Sequence, residues 1–229
     1  MVLKNEMEEI NFLKPFNREQ KEFILSHLKK DNIKKKTVIH YQEAENCRFY
    51  EILKGQVKSG KITLDGREIT MEILKEGENF GYIPLIDGGT CLSTATALTN
   101  VETVSLGKDE FLSILNKYPE ATDYLIQSIC QRMRKVFCHI EHMALTSVQK
   151  RVTRILLEMA RQEGDYDEND ILCFKIRLTH QELANLAGTT RETVTRVLAS
   201  LKKEDLITVQ RSLISITDED KIEDYCYQE

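Results

Sequence analysis

The stretch of residues 178–203 constrains the fold more than any other part of this sequence. It opens with Thr179 and Glu182, spaced as in a capping box, where the hydroxyl and the carboxylate each accept a hydrogen bond from a backbone N–H at the helix start. Gly188 would end this first helix, because glycine reaches positive φ without strain, and the Thr189-Thr190 pair offers a hydroxyl cap for a second helix. The stretch therefore predicts two short helices joined by a tight turn.

The second predicted helix has two different faces. At about 100° per residue one side is apolar and the other carries hydrogen-bonding groups. The apolar set is Val194, Val197, Leu198 and Leu201, and the polar set is Arg191, Glu192, Thr195 and Arg196. In a helix-turn-helix such a polar face enters the DNA major groove, where Arg donates to guanine and Glu accepts from cytosine. The alternative is an ordinary amphipathic hairpin with a solvated charged face.

The charge around this stretch differs from that of the whole chain. The protein has a net charge of −5 at pH 7. Between positions 175 and 203, however, six cations face only two acids, Glu182 and Glu192. The cations are Lys175, Arg177, Arg191, Arg196, Lys202 and Lys203. A basic island in an acidic protein is typical of phosphate contact, so the charge favours a nucleic-acid partner.

The run QELANLAGTTRETVTRVLASLKKEDLI closely resembles the DNA-binding helices of the catabolite-activator/FNR (Crp/Fnr) family of bacterial transcription regulators. Arg191, Glu192 and Arg196 match the Arg-Glu-x-x-x-Arg pattern by which the catabolite-activator branch reads its half-site. The FNR branch has Ser just before the last Arg, whereas this chain has Thr195. The resemblance thus implies a TGTGA-like inverted repeat and RNA polymerase as a partner. The expected DNA-binding set is completed by Thr179, His180, Thr190 and Lys202.

The amino-terminal half is predicted to be rich in short strands. After an amphipathic helix at residues 17–29, strand-like segments alternate with Gly-containing turns, of which Asp65-Gly66 is a strong hairpin signal. The predicted strands are residues 37–39, 49–53, 56–61, 69–74, 94–98 and 103–106. Many short strands predict a small barrel or roll. In the family that the chain resembles, the corresponding domain is a β-roll that holds the effector.

Phe80-Gly81 looks like the start of the family's phosphate-binding cassette. The catabolite-activator pattern continues with a Glu for the ribose and later an Arg-Ser pair for the cyclic phosphate. This chain has Tyr82 and Leu92 in place of the Glu and the Arg, and no Lys or Arg occurs from position 79 to 100. A buried phosphate needs a cation or several donors, so cyclic AMP is not expected to bind in the usual way. The expected effector pocket comprises Phe80, Gly81, Tyr82, Leu92, Ser93 and Thr94. A filled core without ligand is the alternative.

A long helix is predicted from residue 120, and no Pro or Gly interrupts the chain between 120 and 161. Apolar residues recur along it at spacings of three and four, as in a heptad seam. They are Ile126, Ile129, Met133, Val136, Ile140 and Met143. In the family this helix forms the homodimer, whose two-fold symmetry suits a palindromic site. The alternative is burial of the seam against the β-roll of the same chain.

The sequence as a whole predicts an α+β protein in three parts. Residues 1–117 form a cyclic-nucleotide-binding-like β-roll domain, 118–145 the dimerisation helix, and 146–229 a winged helix-turn-helix domain that begins after a hinge near Thr146-Ser147. A strand at 172–176 and a hairpin at 207–216 would form the wing. The acidic tail after residue 217 is expected to fray.

Any other sensor chemistry would depend on the cysteines and histidines. The six cysteines lie far apart without a C-x-x-C pair, which predicts neither a metal site nor a disulfide framework but reduced, mostly buried thiols. An iron–sulfur cluster is disfavoured for the same reason. Haem stays open, with His40, Cys47, His139 and His142 as axial candidates. Oxidation of Cys130 or Cys138 on the long helix is a further alternative.

The sequence offers no sign of enzymatic or membrane function. It has no G-x-S-x-G, P-loop or H-E-x-x-H motif, no signal-like amino terminus and no apolar run near 20 residues, so we expect a cytoplasmic non-enzyme. The competing class is an effector-binding module without DNA function. A gel shift on genomic fragments discriminates between the two classes.

Overall fold

The structure of the protein is a computed structural model that describes residues 10–62, 68–168, 171–176, 178–210 and 213–227, apart from the side chains of residues 68, 139, 142–145 and 227. The chain forms two compact units, Met1–Arg134 and Lys135–Glu229. The boundary lies within the long helix that the sequence predicts. The division into three parts at 117 and 145 stays a prediction.

The first unit contains a β-roll of two four-stranded antiparallel sheets. Their orders are β1-β8-β3-β6 and β2-β7-β4-β5. The strands are β1 Lys29–Ile33, β2 Val38–His40, β3 Phe49–Lys54, β4 Val57–Ile62, β5 Glu68–Leu74, β6 Asn79–Phe80, β7 Thr94–Ala97 and β8 Val101–Leu106. In β7 partly buried threonines alternate with buried alanines, as expected for a strand with one inward face. The predicted roll is confirmed. The Asp65-Gly66 turn lies outside the described residues.

The start of the roll differs from the sequence prediction. The predicted helix at 17–29 ends early, as α1 Arg18–Leu25, and β1 begins at Lys29. The strand was missed because its residues, KKDNI, are polar and mostly exposed and show no apolar alternation. What makes them a strand is pairing with β8, whose own residues are almost all buried. Tertiary pairing thus overrides a weak local propensity.

Three further helices pack within the first unit. They are α2 Ile83–Asp87, α3 Lys108–Lys117 and the first part of α4 Pro119–Leu145. Neither α2 nor α3 was predicted from the sequence. In α3 the buried residues Phe111 and Ile114 join the aromatic cluster that also contains Phe12 and Phe49. This cluster is the larger of the two apolar cores of the unit.

A buried carboxylate fastens the amino-terminal segment to the roll. Glu51 on β3 is fully buried and accepts hydrogen bonds from the backbone N–H groups of Asn11 and Phe12, the latter at 2.9 Å. Burial raises the pKa of Glu51 to about 7, against the opposing effect of those two N–H groups and of Lys14. No local sequence feature signals this role, because the partners lie about forty positions apart.

The break in the long helix is where the sequence places it. The helix before the break, α4, ends at Leu145, and the helix after it, α5, runs from Val148 to Glu163. Ser147 caps α5 by accepting a hydrogen bond from the backbone N–H of Lys150. Among the described residues, no helix combines the length and apolarity needed to cross a membrane.

The second unit is a winged helix-turn-helix built on one apolar core. It contains α5, α6 His180–Ala187, α7 Arg191–Lys203 and a four-stranded antiparallel sheet of order β11-β12-β10-β9. The strands are β9 Asp165–Tyr166, β10 Leu172–Lys175, β11 Ile207–Gln210 and β12 Leu213–Ile216. The fold class, an α+β protein with a β-roll, long helix and winged helix-turn-helix, is confirmed.

The expectation of a fraying tail is wrong. Residues Glu219–Tyr227 form a helix, α8, that buries Ile222 and Cys226 in the core of the second unit. Arg161 on α5 holds its outer side through ion pairs with Glu219 and Glu223. The acidic composition of the tail hid this helix, because its apolar residues are few and its carboxylates have a cationic partner elsewhere in the unit.

Candidate nucleic-acid interface and ligand pocket

The first helix of the helix-turn-helix is fixed at both ends by the signals seen in its sequence. The hydroxyl of Thr179 accepts from the backbone N–H of Glu182 at 3.2 Å, and the Glu182 carboxylate accepts from the N–H of Thr179 at 2.7 Å. At the other end Gly188 has φ 60° and ψ 47°, the left-handed conformation that ends α6. The capping box and the glycine stop are both confirmed.

The second helix presents the faces that the periodicity predicts. Thr190 caps α7 by accepting from the N–H of Thr193. The buried residues are the four predicted ones, Val194, Val197, Leu198 and Leu201. They pack into the core of the unit beside α5 and α6. The opposite face of α7 is therefore turned to solvent.

All eight residues of the expected DNA-binding set are exposed. They are Thr179, His180, Thr190, Arg191, Glu192, Thr195, Arg196 and Lys202. Thr179 and His180 lie at the start of α6, and Lys202 lies in the last turn of α7. The other five lie at the N-cap and in the first two turns of α7. Their contact with DNA stays a prediction. Arg177, part of the basic island, lies outside the described residues.

Hydrogen bonds order part of this face before any partner binds. Arg196 Nη2 donates to the hydroxyl of Thr193 at 3.2 Å, and His180 Nδ1 lies 3.0 Å from the hydroxyl of Thr195. The backbone N–H of Glu192 itself and the Thr190 hydroxyl hold the pKa of the Glu192 carboxyl below its usual range. Glu192 is thus ionised at neutral pH and can only accept hydrogen bonds.

One residue that contacts the helix-turn-helix from α5 was not predicted from the sequence. Arg151 on α5 donates from Nε to the carbonyl of Ala187 at 3.0 Å and from Nη1 to the carbonyl of Thr146 at 2.8 Å. Its guanidinium therefore joins the turn before α5 to the last turn of α6. Nothing local in the sequence signals this, since Ala187 is 36 positions away.

The start of the cassette is tightly packed. Gly81 has φ 80°, and a Cβ there would lie 2.2 Å from the carbonyl oxygen of Arg48, so only glycine fits. Phe80 is buried inside the roll and stacks on Tyr50 with ring centroids 5.0 Å apart. Tyr82 is fully buried in the aromatic cluster with Phe49.

The second part of the cassette carries hydroxyl groups. Ser93 shares a hydrogen bond of 2.7 Å with Ser59 on β4, and the Thr94 hydroxyl accepts from the backbone N–H of Gln42 at 3.0 Å. Leu92, at the position of the family's arginine, is more than half exposed. The sequence missed Ser59, which β4–β7 pairing brings beside the cassette. As a set, the expected pocket residues stay a prediction.

A cation does approach the roll, but from α4. Arg132 forms an ion pair with Glu72 on β5, with Nε 3.1 Å from Oε2, and Nη1 also reaches the carbonyl of Asn79 at 3.4 Å. The Asn79 side chain accepts from Ser128 and donates to the Tyr124 hydroxyl, both also on α4. The lack of Lys and Arg in the cassette sequence therefore does not mean that the roll lacks a nearby guanidinium.

The expectation of free thiols is wrong for two of the six cysteines. Cys47 and Cys91 form a disulfide, with Cα atoms 6.6 Å apart, and both are buried. Around it, Glu43 N–H donates to the Cys91 carbonyl at 2.8 Å and Cys91 N–H to the Ala44 carbonyl at 3.0 Å. The bond thus joins the β2–β3 loop to the segment just before the cassette hydroxyls. Cys130 and Cys138 are free and exposed, contrary to the expectation of mostly buried thiols.

The haem candidates differ in their surroundings. His40 lies beside Tyr50 and Phe80, and burial lowers its pKa, so it is neutral at pH 7. Its Nδ1 is buried and has no hydrogen-bond partner among the described residues. Cys47 is engaged in the disulfide. The side chains of His139 and His142 lie outside the described residues.

Most of the predicted seam of α4 is open to solvent. Ile126, Met133, Val136 and Ile140 are each more than half exposed, as is Phe137, which the heptad pattern had left out. Ile129 is the exception, because it packs partly against the aromatic cluster of the first unit. The side chain of Met143 lies outside the described residues. The exposure of Ile126 and Met133, which lie in the same unit as the β-roll, contradicts burial of these two positions against the roll.

The chain matches two family profiles, one in each half. The cyclic nucleotide-binding domain matches residues 30–118, and the Crp-like helix-turn-helix domain matches residues 150–225. Together they cover the β-roll and the winged helix-turn-helix.

Known proteins of similar sequence and structure are regulators of transcription. The chain is 31% identical to a CRP-like cAMP-activated global transcriptional regulator of Mycobacterium tuberculosis over 76% of its own length and 78% of the relative's. It is 30% identical to the global nitrogen regulator of Synechocystis, over 74% and 76%. A CRP/FNR-family transcriptional regulator from Thermus thermophilus superposes with a TM-score of 0.73 at 26% identity, over 86% of this chain and 98% of that one. Such names differ in the signal, so similarity alone does not identify the effector.

Proposed function

This chain belongs to the Crp/Fnr family of transcription regulators, and we propose that it acts as a homodimer that reads a TGTGA-like inverted repeat in double-stranded DNA. The observation that carries the proposal is the exposed polar face at the start of α7. Arg191, Glu192 and Arg196 share that face, and the helix behind them is anchored by four buried apolar residues. An N-terminal helix surface of this kind fits the major groove.

Each reader has a partner suited to its chemistry. Arg191 and Arg196 can each donate two hydrogen bonds to a guanine edge, and the ionised Glu192 can accept from a cytosine amino group. Lys202, in the last turn of α7, is suited to a phosphate. Two copies related by a two-fold axis would place these helices about 34 Å apart, one turn of DNA.

Selection of bound sites from random DNA tests the assignment. Wild-type protein should enrich an inverted repeat, and Arg196→Ala should relax the preference at one base position in each half-site, because a good bidentate contact contributes about 1–3 kcal/mol of discrimination. Lys202→Ala is the matched control: it should weaken all sequences alike and lower the salt slope by about one unit per lost phosphate contact. Full sequence preference in Arg196→Ala would contradict the assignment.

The exposed seam of α4 supports the homodimer. Contiguous exposed apolar residues on a helix are costly in water and mark an interaction surface. Their spacing of three and four suits a partner helix with the same pattern. The resulting two-fold symmetry is what an inverted repeat requires. RNA polymerase is the expected partner of the DNA-bound dimer.

Cyclic AMP is not the effector that we propose. Leu92 and Tyr82 cannot supply the arginine and the carboxylate of the cyclic-AMP pattern, and Arg132, the guanidinium near the roll, is already paired with Glu72. Calorimetry should therefore show no micromolar binding of cyclic AMP. Micromolar binding would mean that donors of the roll replace the missing arginine.

The disulfide favours a thiol-based redox signal over haem as the input. Oxidation of Cys47 and Cys91 would remove two protons and two electrons and pass them to a low-molecular-weight disulfide, which leaves as two thiols. The bond formed would tie the β2–β3 loop to the cassette. Haem has weaker support, because Cys47 is engaged and His40 is wedged between aromatic rings.

Three measurements on purified protein test this input. Mass spectrometry without reductant should find the Cys47–Cys91 pair, and reduction should change DNA affinity in the wild type but not in Cys91→Ser. The matched control is Cys173→Ser, which removes a free, partly exposed thiol of the second unit. A Soret absorption band would instead identify haem. Equal affinity of oxidised and reduced wild type would contradict the redox signal.

A further inference from the structure

The hydroxyl of Thr195 has its hydrogen-bonding capacity largely used within the protein. Its Oγ1 lies 3.0 Å from the carbonyl oxygen of Arg191 and 3.0 Å from His180 Nδ1. A carbonyl can only accept, so the single hydroxyl hydrogen is donated to Arg191. His180 Nδ1 must then carry the hydrogen of the second bond and donate it to Thr195. One acceptor lone pair is all that the hydroxyl has left.

This arrangement decides which part of Thr195 can meet a base. The residue is exposed on the face that also carries Arg191, Glu192 and Arg196. Its hydroxyl is turned to its own helix and to α6, and it has no hydrogen to donate to a base. The methyl group is therefore the principal free surface of the side chain. In the major groove the apolar partner of a threonine methyl is the C5-methyl group of thymine.

We propose that Thr195 reads a thymine methyl group in each half-site and that His180 is the positioning residue that holds Thr195 in that orientation. The inference rests on the proposed DNA-reading function and adds a base assignment to it. It also gives the first helix of the motif a part in specificity, since His180 is the first residue of α6. The neighbouring guanidinium and carboxylate groups read polar edges, and Thr195 adds an apolar contact between them.

The test uses DNA in which one thymine at a time is replaced by deoxyuridine. This change removes the C5-methyl group and leaves every hydrogen-bonding atom of the base in place. The probe is the duplex enriched by the wild type from random DNA, titrated by fluorescence anisotropy. Loss of one methyl contact corresponds to about fourfold in affinity per half-site and about fifteenfold when both half-sites are changed. We expect that loss at one thymine position per half-site.

Variants of Thr195 separate its methyl from its hydroxyl. Thr195→Ser keeps the hydroxyl and lacks the methyl, so it should bind the thymine and deoxyuridine duplexes equally. Thr195→Val keeps a methyl and lacks the hydroxyl, so it should still prefer thymine. The matched control is Thr193→Ser, which loses a methyl about 200° around the same helix and should leave the thymine preference unchanged. A thymine preference that persists in Thr195→Ser would overturn the assignment.

Variants of His180 test its role through the same ratio of affinities. His180→Phe has no Nδ1–H donor, so the Thr195 side chain is freed and the thymine preference should fall at least twofold. His180→Asn places a side-chain NH2 near the position of Nδ1 and should restore it. A loss of overall affinity with an unchanged ratio would show that His180 only supports the fold or a phosphate contact, and would overturn its positioning role.

The outcomes also separate this inference from the proposed function. If the wild type enriches no DNA sequence, the DNA-reading function itself fails. If it enriches an inverted repeat and no thymine shows a deoxyuridine effect, the function holds and the Thr195 assignment is wrong. If Thr195→Val loses preference for an adenine or cytosine position, the remaining lone pair of the hydroxyl reads an amino group, which also overturns the proposal.

Discussion

The two units of this chain place their polar groups in opposite ways. In the second unit the expected readers lie on one short segment, residues 179–202, and face solvent. In the first unit the polar groups point into the roll or against α4 and contact each other across long stretches of chain. Ser59 meets Ser93, Glu72 meets Arg132, and Glu51 meets the backbone of Asn11 and Phe12.

Because of this difference, substitutions in the two units should affect stability to different extents. A side chain on the reading face can be changed with little effect on folding, because it buries little area. A paired polar group inside the roll cannot, because its removal leaves a partner unsatisfied. Changes in the second unit should thus alter DNA affinity before stability, and changes in the first unit should alter stability before DNA affinity.

The largest expected effect concerns the exposed seam of α4. Val136→Glu should convert the dimer to monomer and lower DNA affinity by roughly a hundredfold or more, because an unpaired charge in an apolar interface costs several kcal/mol. The monomer itself should stay folded, since Val136 is more than half exposed. Sedimentation and anisotropy measure the two effects.

The control and the choice of position both follow from the structure. Gln131→Glu adds the same charge to an exposed position on the other side of α4 and should leave the dimer intact. Ile129 is a poorer choice, because it packs partly against the chain's own aromatic cluster and its substitution would also destabilise the first unit. A dimer that survives Val136→Glu would place the interface elsewhere.

The same contrast explains what could be predicted from the sequence. The caps, the glycine stop and the buried face of α7 are each encoded by residues within about four positions, which is the range of helical hydrogen bonds and side-chain neighbours. Both helices, their boundaries and their exposed faces were therefore predicted. Six of the eight strands of the roll and three of the four strands of the second sheet were also predicted near their observed positions, because alternation and turn residues are local.

Contacts made by sheet closure were not predictable in this way. Cys47 and Cys91 are 44 positions apart, and Glu72 and Arg132 are 60 apart. Nothing in either local sequence identifies the partner, since register and closure bring them together only in the folded unit. The polar strand β1 was missed for the same reason. The second unit also contains a long-range contact of this kind, between Arg151 and the carbonyl of Ala187.

The next effect tests the interior of the first unit through pH. The folded pKa of Glu51 is about 7, above its ordinary value of 4.5, because burial disfavours the charged form. Its contribution to stability is therefore fully present below pH 4.5 and is lost as the pH rises toward 7. The free energy of unfolding of the wild type, relative to Glu51→Gln, should fall by about 3 kcal/mol between pH 4.5 and pH 8.

Urea unfolding at several pH values measures this difference. Tyr124 also interacts with Glu51, and burial raises the pKa of its hydroxyl above the ordinary value, so this group stays neutral over this range. Glu45→Gln, which changes an exposed carboxylate of the same unit, serves as the control and should show no comparable trend. An equal trend in both variants would mean that the Glu51 carboxyl is not held in a buried site.

A smaller effect is expected at Arg151, where the second unit, like the first, relies on a long-range polar contact. Arg151→Gln leaves the carbonyls of Ala187 and Thr146 without their charged donor, which costs about 2 kcal/mol. Since these carbonyls flank the reading motif, DNA affinity should fall about tenfold. Arg154→Gln, which breaks an i,i+4 pair with Glu158 on the same helix, should change affinity less than twofold. Equal losses in the two variants would contradict a positioning role for Arg151.

The smallest effect tests whether the local signals of the second unit act locally. Glu182→Ala removes the carboxylate that accepts from the N–H of Thr179 at 2.7 Å and from its hydroxyl at 2.9 Å, which should cost about 1 kcal/mol of stability and no more than about fivefold in DNA affinity. Glu182→Gln keeps an acceptor for the same N–H and should recover most of the loss. Urea unfolding and anisotropy on both variants give the comparison. Glu182→Ala should not lower DNA affinity as much as Arg151→Gln does if this distinction holds. Equal losses would mean that the local cap of α6 and the long-range Arg151 contact support the DNA-binding face equally.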